Sequence, residues 1–242
     1  MGSSNAGGEK SGAISKGTKQ PGHRRGLAFL LLALLGAILT LASCAGQQAP
    51  PQLTATGPVW RVGDRWHHTW TAGAERGKKT AEVLSVRQVG GVPFYVLRVD
   101  TVTRYYTLNL HWAATLVESR VAARAQPPQP LFAWPLEVGK RWEYQGIYED
   151  QERREQLTES YAVLGTEQIE VPAGTFWTLK LSRQGVAGSL DQYWYSPDVR
   201  WYVKWLGRRG DEEFQEILED FAAGTDVGPP APSPERPTGG RD

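Results

Sequence analysis

Alternating apolar and polar residues recur through the central part of the chain. Tyr95, Leu97 and Val99 share one face of an extended segment and Arg98 lies on the other, as in a sheet with one buried face. The sequence therefore predicts a mainly β fold, an antiparallel curved sheet or an open β-barrel. Strands are expected in segments that share this pattern or are rich in β-branched and aromatic residues: 66–71, 80–89, 92–100, 104–110, 142–148, 157–166, 177–181, 192–196 and 200–206.

Two other segments are ambiguous. Residues 116–125 fit a strand followed by a short helical turn. In residues 214–221 the apolar positions have helical spacing and Asp211 is in a capping position, yet 207–210 reads as a hairpin turn that returns to a strand. We favour the strand for 214–221 and a solvated turn for 207–210.

A weak internal repeat divides the β region. The sequence V-G-D-R-W at residues 62–66 recurs as V-G-K-R-W at 138–142. Between the halves lie Pro127, Pro128, Pro130 and Pro135, which we interpret as a crossover rather than a link between two domains. We thus expect one antiparallel β domain over 59–221, with pseudo-repeats 59–125 and 136–221, whose halves cover each other's edges.

The N-terminal region has the pattern of a secretory signal. The basic pair Arg24-Arg25 precedes an apolar run over 27–41, and small residues then lead to Cys44, the only cysteine. At about 1.5 Å per residue, fifteen helical residues reach roughly 22 Å, short of a bilayer core of about 30 Å. A retained transmembrane helix is therefore disfavoured, and 1–43 is expected to be removed as a signal peptide.

The four residues L-A-S-C at 41–44 resemble the lipobox of bacterial lipoproteins, in which the cysteine is lipidated and becomes residue one. This resemblance implies a diacylglyceryl (palmitate-type) anchor on Cys44. It also implies a location on the cell-envelope membrane, facing the periplasm, with the outer membrane favoured over the inner. We expect 44–58 to be a flexible tether and 222–242 a disordered tail, since both are rich in proline, glycine and small or polar residues.

Charge and cysteine content exclude some functions. The leader holds five of the 27 basic residues and one of the 26 acidic ones, so the exported part is mildly acidic. It has no basic footprint for nucleic acid. With Cys44 lipidated, no disulfide can form within the chain, and stability must come from a core built on large aromatic residues.

The second half also resembles a class of bacterial envelope proteins of unknown function, many of them lipoproteins. The matching motifs are V-P-A-G-T-F at 171–176, L-K-L at 179–181, Y-W-Y-S-P at 193–197 and the pair Val203-Lys204. The resemblance covers 136–221 well and 60–125 loosely. It implies an antiparallel β fold, and it supplies no catalytic residues.

Candidate catalytic chemistry is sparse in the sequence. Adjacent His67 and His68 point to opposite faces of a regular strand, and no carboxylate lies at ligand spacing from them or from His111. There is no G-x-S-x-G motif, and Asp191 is expected to be an ordinary strand-end residue. We therefore expect no enzymatic activity, no cofactor and no metal.

Aromatic residues carry the remaining functional signal. On a curved sheet they either fill the core or line a pocket for an apolar ligand. We expect a structural or interaction module with a lipid or envelope-protein partner, and the alternative is a periplasmic carrier of a hydrophobic molecule such as an acyl chain. The candidate lining residues are Trp142, Tyr144, Trp177, Tyr193, Trp194, Tyr195, Trp201 and Trp205.

Overall fold

Twelve antiparallel strands close into a barrel in the computed structural model, which describes residues 51–224. Strands adjacent in sequence are adjacent in the barrel, and the last strand pairs with the first. The predicted mainly antiparallel β fold is confirmed, as a closed barrel. The predicted signal peptide, Cys44 and most of the tail lie outside the described residues. The strands are β1 (Arg65–Ala72), β2 (Glu75–Val89), β3 (Val92–Val99), β4 (Val102–Thr107), β5 (His111–Val117), β6 (Arg120–Pro130), β7 (Arg141–Asp150), β8 (Arg154–Val171), β9 (Gly174–Gln184), β10 (Leu190–Ser196), β11 (Trp201–Arg209) and β12 (Glu212–Ala222).

Both ambiguous segments are extended. Residues 214–221 lie in β12, as favoured. The segment 116–125 contains no helical turn: it holds the end of β5, the start of β6 and a tight hairpin in which Glu118 and Ser119 have positive φ. The turn expected at 207–210 is shorter, because Gly207 is still within β11. Among residues 51–224, no helix is long and apolar enough to cross a membrane.

The prolines expected to form a crossover belong mostly to a strand. Pro127, Pro128 and Pro130 lie in β6, which pairs with β5 as far as His111. On its other side, β6 pairs with β7 only from Ala123 to Gln126. Residues 127–130 are therefore an edge on the β7 side, where a missing backbone N–H costs no ladder bond.

Side chains replace the missing backbone ladder between β6 and β7. The Tyr144 hydroxyl donates to the Pro127 carbonyl at 2.7 Å, and Trp142 Nε1 donates to the Pro130 carbonyl at 3.4 Å. Gln129 in β6 donates to a carboxylate oxygen of Glu159 in β8 at 2.6 Å. The barrel wall is thus continuous here through side-chain bonds.

One end of the barrel, here named the closed end, is covered by residues 51–64 and by the β6–β7 connection. Ala55 and Leu136 exchange two backbone hydrogen bonds, of 2.9 and 2.7 Å. Trp60 is buried with its ring 5.0 Å from that of Trp201, and Phe132 is also buried. Residues 51–58 therefore differ from the expected flexible tether, because their apolar side chains pack on this end.

The opposite end, named the open end, carries only hairpin connections. These are the β1–β2, β3–β4, β5–β6, β7–β8, β9–β10 and β11–β12 connections. The one between β9 and β10 contains a short 3-10 helix, Val186–Gly188. Nothing in these turns is comparable in size to the segments that cover the closed end.

The sequence repeat coincides with a repeated backbone arrangement. Gly63 and Gly139 both have positive φ, +87° and +92°, and precede the first strand of their halves. Gly63 N donates to Val83 O at 2.8 Å, and Gly139 N donates to Val163 O at 2.9 Å. The ladder shifts register immediately after each of these valines. Each half thus starts with the same turn and contributes six strands.

Asp64, within the first copy of the repeat, joins three separate segments at the closed end. The side chain is fully buried and accepts bonds from Arg61 N at 2.7 Å, Arg200 Nη2 at 2.6 Å and Gly224 N at 2.7 Å. It therefore ties the N-terminal segment, the β10–β11 turn and the end of β12 together.

We expect Asp64→Ala to lower the free energy of unfolding by about 3 kcal/mol, because it leaves Arg200 without its buried partner. Urea unfolding followed by tryptophan fluorescence measures this change. Asp198→Ala is the matched control: Asp198 is exposed in the adjacent turn, so the change should be within about 0.5 kcal/mol. Equal effects of the two substitutions would contradict the role assigned to Asp64.

Candidate ligand-binding cavity

A cavity of about 480 Å³ lies inside the barrel, between the packed closed end and the turns of the open end. Trp201, from the buried core, forms part of its floor, and the open-end halves of several strands form its walls. Its lining combines aromatic rings with charged side chains. The lining residues are Lys79, Arg104, Tyr106, Trp112, Thr115, Ala123, Gln129, Leu131, Tyr148, Tyr161, Arg183, Tyr193, Trp201, Tyr202, Trp205 and Glu216.

The cavity arises because inward-facing rows change from apolar to charged along the strands. In β9, Leu179 and Leu181 are buried in the core, and the next residue on that face is Arg183. In β12, Leu218 is in the core and Glu216 is on the cavity wall. The closed-end half of the lumen is therefore packed with apolar groups, and the open-end half is polar.

One charged cluster, named the Lys79 cluster, consists of Lys79, Tyr202 and Glu216. Lys79 Nζ donates to the Tyr202 hydroxyl at 2.9 Å and also forms an ion pair with Glu216. The Tyr202 hydroxyl donates to Glu216 at 2.7 Å. Burial lowers the pKa of Lys79, whereas burial and the Glu216 charge raise the pKa of Tyr202. His68 lies beside this cluster, with its ring 5.0 Å from that of Tyr202.

A second cluster, named the Asp191 cluster, lies on the wall formed by β8 to β11. Asp191 is fully buried rather than an ordinary strand-end residue; it accepts from Arg183 Nε at 2.8 Å and Trp205 Nε1 at 3.0 Å. Arg209 Nη2 also donates to it at 3.0 Å. A Cβ at Gly207 would come within 2.9 Å of Asp191 Oδ1, so the strand opposite needs glycine to leave room for the carboxylate.

Arg104 stands apart from both clusters. It lines the cavity, yet it forms no ion pair with any residue in 51–224, and its buried Nε has no hydrogen-bond partner there. Burial opposes its charge, but a hydrogen bond with Tyr106 and the fields of Tyr202 and Glu216 raise the pKa of Arg104 overall. Arg104 is therefore a charged guanidinium on the cavity wall.

Three of the aromatic residues selected from the sequence line this cavity. They are Tyr193, Trp201 and Trp205, and the rings of Tyr193 and Trp205 stack at 6.2 Å. Trp142 and Tyr144 lie instead beside the β6–β7 seam, where Trp142 stacks on Tyr161 at 5.1 Å.

The other three aromatic candidates are outside the cavity. Tyr195 is buried in the closed-end core, with its ring 5.1 Å from that of Phe132. Trp194 is buried beneath Lys180 and Lys204 and donates to Glu167 at 2.7 Å. Trp177 is 36% exposed on the surface, so no packed core or pocket surrounds it.

Sequence reasoning missed the charged lining residues. A signal for Arg183 was present: it continues the face of Leu179 and Leu181, so alternation alone places it inside the barrel. Lys79 continues the inward face of Ala81 and Val83 in the same way. Charged residues in phase with an apolar face thus indicate a polar lumen.

The histidines point in different directions. His67 contacts Thr80 at 2.9 Å and is partly exposed, whereas His68 is buried in the lumen. Within residues 51–224, no three His, Cys, Asp or Glu side chains stand close enough together to hold a metal ion.

Comparisons with known proteins find only distant similarity. No family profile and no curated protein matches the sequence. Solved structures that match include a protein of Parabacteroides distasonis provisionally classed as a lipoprotein (14% identity, TM-score 0.40, covering 69% of this chain and 99% of that one). An exported protein of Bacteroides fragilis, described as having a YmcC-like fold, matches at 11% identity and TM-score 0.43, with the same coverage.

The hypothetical lipoprotein YmcC of Escherichia coli matches at 9% identity and TM-score 0.43, covering 69% of this chain and 90% of that one. Similarity at this level identifies neither a family nor an activity. The cavity itself is therefore the basis for proposing a function.

The buried position of His68 predicts a pH-dependent stability. Burial, with Lys79 nearby, lowers the pKa of His68 from about 6.5 to about 4. Between these values the unfolded chain binds the proton more readily, so the His68 contribution is complete above pH 6.5 and is lost as the pH falls toward 4. The free energy of unfolding of the natural protein should therefore fall by up to about 3 kcal/mol between pH 7 and pH 4 because of this group.

Urea unfolding of the natural protein and His68→Gln at both pH values tests this. The difference in free energy of unfolding between the natural protein and His68→Gln should be smaller at pH 4 than at pH 7, since the variant lacks the group that becomes protonated. His67→Gln, on the outer face of the same strand, controls for loss of an imidazole. The interpretation fails if both variants respond to acid alike.

Proposed function

We propose that the protein is a bacterial envelope lipoprotein whose barrel binds a small amphiphilic molecule in the open-end cavity. The observation that carries this proposal is the cavity, whose volume of about 480 Å³ is within the usual range for small-ligand sites. Its floor and walls combine Trp112, Trp201 and Trp205 with a few charged groups, a composition suited to a ligand with both apolar and polar parts.

Binding, rather than catalysis, is proposed because most charged lining groups hold one another in place. Lys79 and Glu216 are ion-paired, and Arg183 is held by Asp191. Groups held in this way fix the shape of the pocket and the orientation of a ligand within it. A plain acyl chain, the ligand considered from sequence, fits less well, since buried charges on the wall would face its methylenes.

Attachment to a membrane through Cys44 is the second part of the proposal. It is supported by the L-A-S-C sequence that follows an apolar run. The described chain reaches the barrel at the closed end, since residues 51–64 pack there. We place the protein in the periplasm-facing envelope, with the outer membrane preferred.

A structural or interaction module is the second candidate. The observation favouring it is the set of exposed apolar side chains on open-end turns: Val117, Val121 and Val186 are each more than two-fifths exposed. A partner protein contacting this rim would cover them. In that case the cavity would stay empty in the native complex, which separates the two candidates.

Cys44→Ser should abolish lipid attachment and leave an unprocessed precursor. One acyl chain binds membranes only reversibly, whereas several chains hold a protein permanently, so the modification decides the location. Metabolic labelling with palmitate and gel mobility measure the outcome. Ser43→Ala keeps a small residue in the motif and should be processed normally. Continued cleavage and labelling of Cys44→Ser would exclude the lipobox assignment.

Filling the cavity should remove a bound molecule. Ala123 lines the cavity, whereas its neighbour Ala122 lies on the outer side of β6. Native mass spectrometry of protein extracted from its own membrane should show a co-purified small molecule in the natural protein and in Ala122→Leu. Ala123→Leu should lose most of it, because the larger side chain occupies the site. A molecule retained equally by both variants would contradict lumen binding.

A further inference from the structure

Arg104 is the cavity residue whose charge the barrel leaves unbalanced. The carboxylates that face the lumen are already engaged with other cations. Their ion pairs are Lys79–Glu216, Arg183–Asp191, Arg209–Asp191 and Arg183–Glu159. These ion pairs join three carboxylates to three cations, so their charges balance. Within residues 51–224, the guanidinium of Arg104 is therefore the excess positive charge of the lumen.

The hydrogen-bonding state of Arg104 agrees with this charge balance. Its Nε is buried and has no acceptor among the described residues. The groups that interact electrostatically with the guanidinium are Tyr106, Tyr202 and Glu216, and Glu216 is already ion-paired with Lys79. Burying a charge that has an unused hydrogen-bond donor is unfavourable. An anionic acceptor in the cavity would neutralise the charge and accept from the donor.

The position of Arg104 defines how such a ligand would lie. Arg104 is near the start of β4, at the open end, whereas Trp201 and Leu131 are deeper in the cavity. A molecule that enters with its apolar part first would place that part against these side chains and leave its charged group level with Arg104.

We infer that the ligand is a monoanionic carboxylate with an apolar or aromatic body, its carboxylate bound by Arg104 and its body directed toward Trp201. This inference rests on the proposed binding function. A carboxylate suits the site because a guanidinium offers Nε and Nη donors in the plane that a carboxylate accepts. A single negative charge also matches the single unbalanced cation.

Calorimetric titration of the mature lipoprotein, solubilised in detergent, with three probes of similar size tests this inference. The probes are 1-naphthaleneacetate, its methyl ester and 1-naphthyl phosphate. We expect the carboxylate to bind the natural protein at least about tenfold more tightly than the ester, a factor equivalent to about 1.4 kcal/mol. It should also bind more tightly than the phosphate, whose second charge has no partner.

Arg104→Gln should remove the preference for the carboxylate while the ester binds as before. Arg104→Lys keeps the charge without the planar donor pair, so it should retain only part of the preference. It serves as the second variant if Arg104→Gln fails to give a cooperative thermal transition. Arg98→Gln is the matched control, because Arg98 is an exposed arginine of the adjacent strand paired with Glu82; it should change nothing.

The outcomes separate the two levels of the proposal. If none of the probes binds the natural protein, lumen binding fails and this inference fails with it. If acid and ester bind equally, or the preference survives in Arg104→Gln, the cavity binds ligands but Arg104 does not select a carboxylate. Tightest binding of the phosphate would overturn the monoanionic assignment.

Discussion

A barrel of twelve strands has an interior that its own inward side chains cannot fill, since about eight strands already give a lumen just wide enough to be packed. The protein meets this constraint in two ways. At one end it brings in residues from outside the barrel, with Trp60 and Phe132 completing an aromatic core. At the other end the inward rows become charged, and a cavity remains.

The charged half of the lumen depends on partners held across neighbouring strands. Burying a carboxylate such as Asp191 is unfavourable unless its oxygens are fully used, and here two arginines and a tryptophan use them. Glu216 is similarly engaged by Lys79 and Tyr202. These networks specify which strands are neighbours, and they keep the cavity wall from collapsing onto an apolar centre.

Local patterns predicted most strands, because alternation is a property of a few consecutive residues. The two V-G-x-R-W segments likewise marked turns that recur in space, through Gly63 and Gly139. Barrel closure and the pairing of each strand edge depend on residues that are far apart in the sequence. The sequence therefore did not show that residues 127–130 of β6 form an unpaired edge on the β7 side. Alternation places Tyr193 and Tyr195 on one face of β10 and Trp194 on the other, but which of the two tyrosines lines the cavity depends on which end of the barrel is filled. The lipidation of Cys44 stays a prediction.

Both ends of the described chain meet at the closed end, where Gly224 bonds to Asp64 just before β1 begins. The same carboxylate therefore fixes the approach to β1 and the end of β12, the two strands whose pairing closes the barrel. Closure of the barrel and opening of the cavity thus depend on residues at opposite ends of the strands, so a change at one end can leave the other intact.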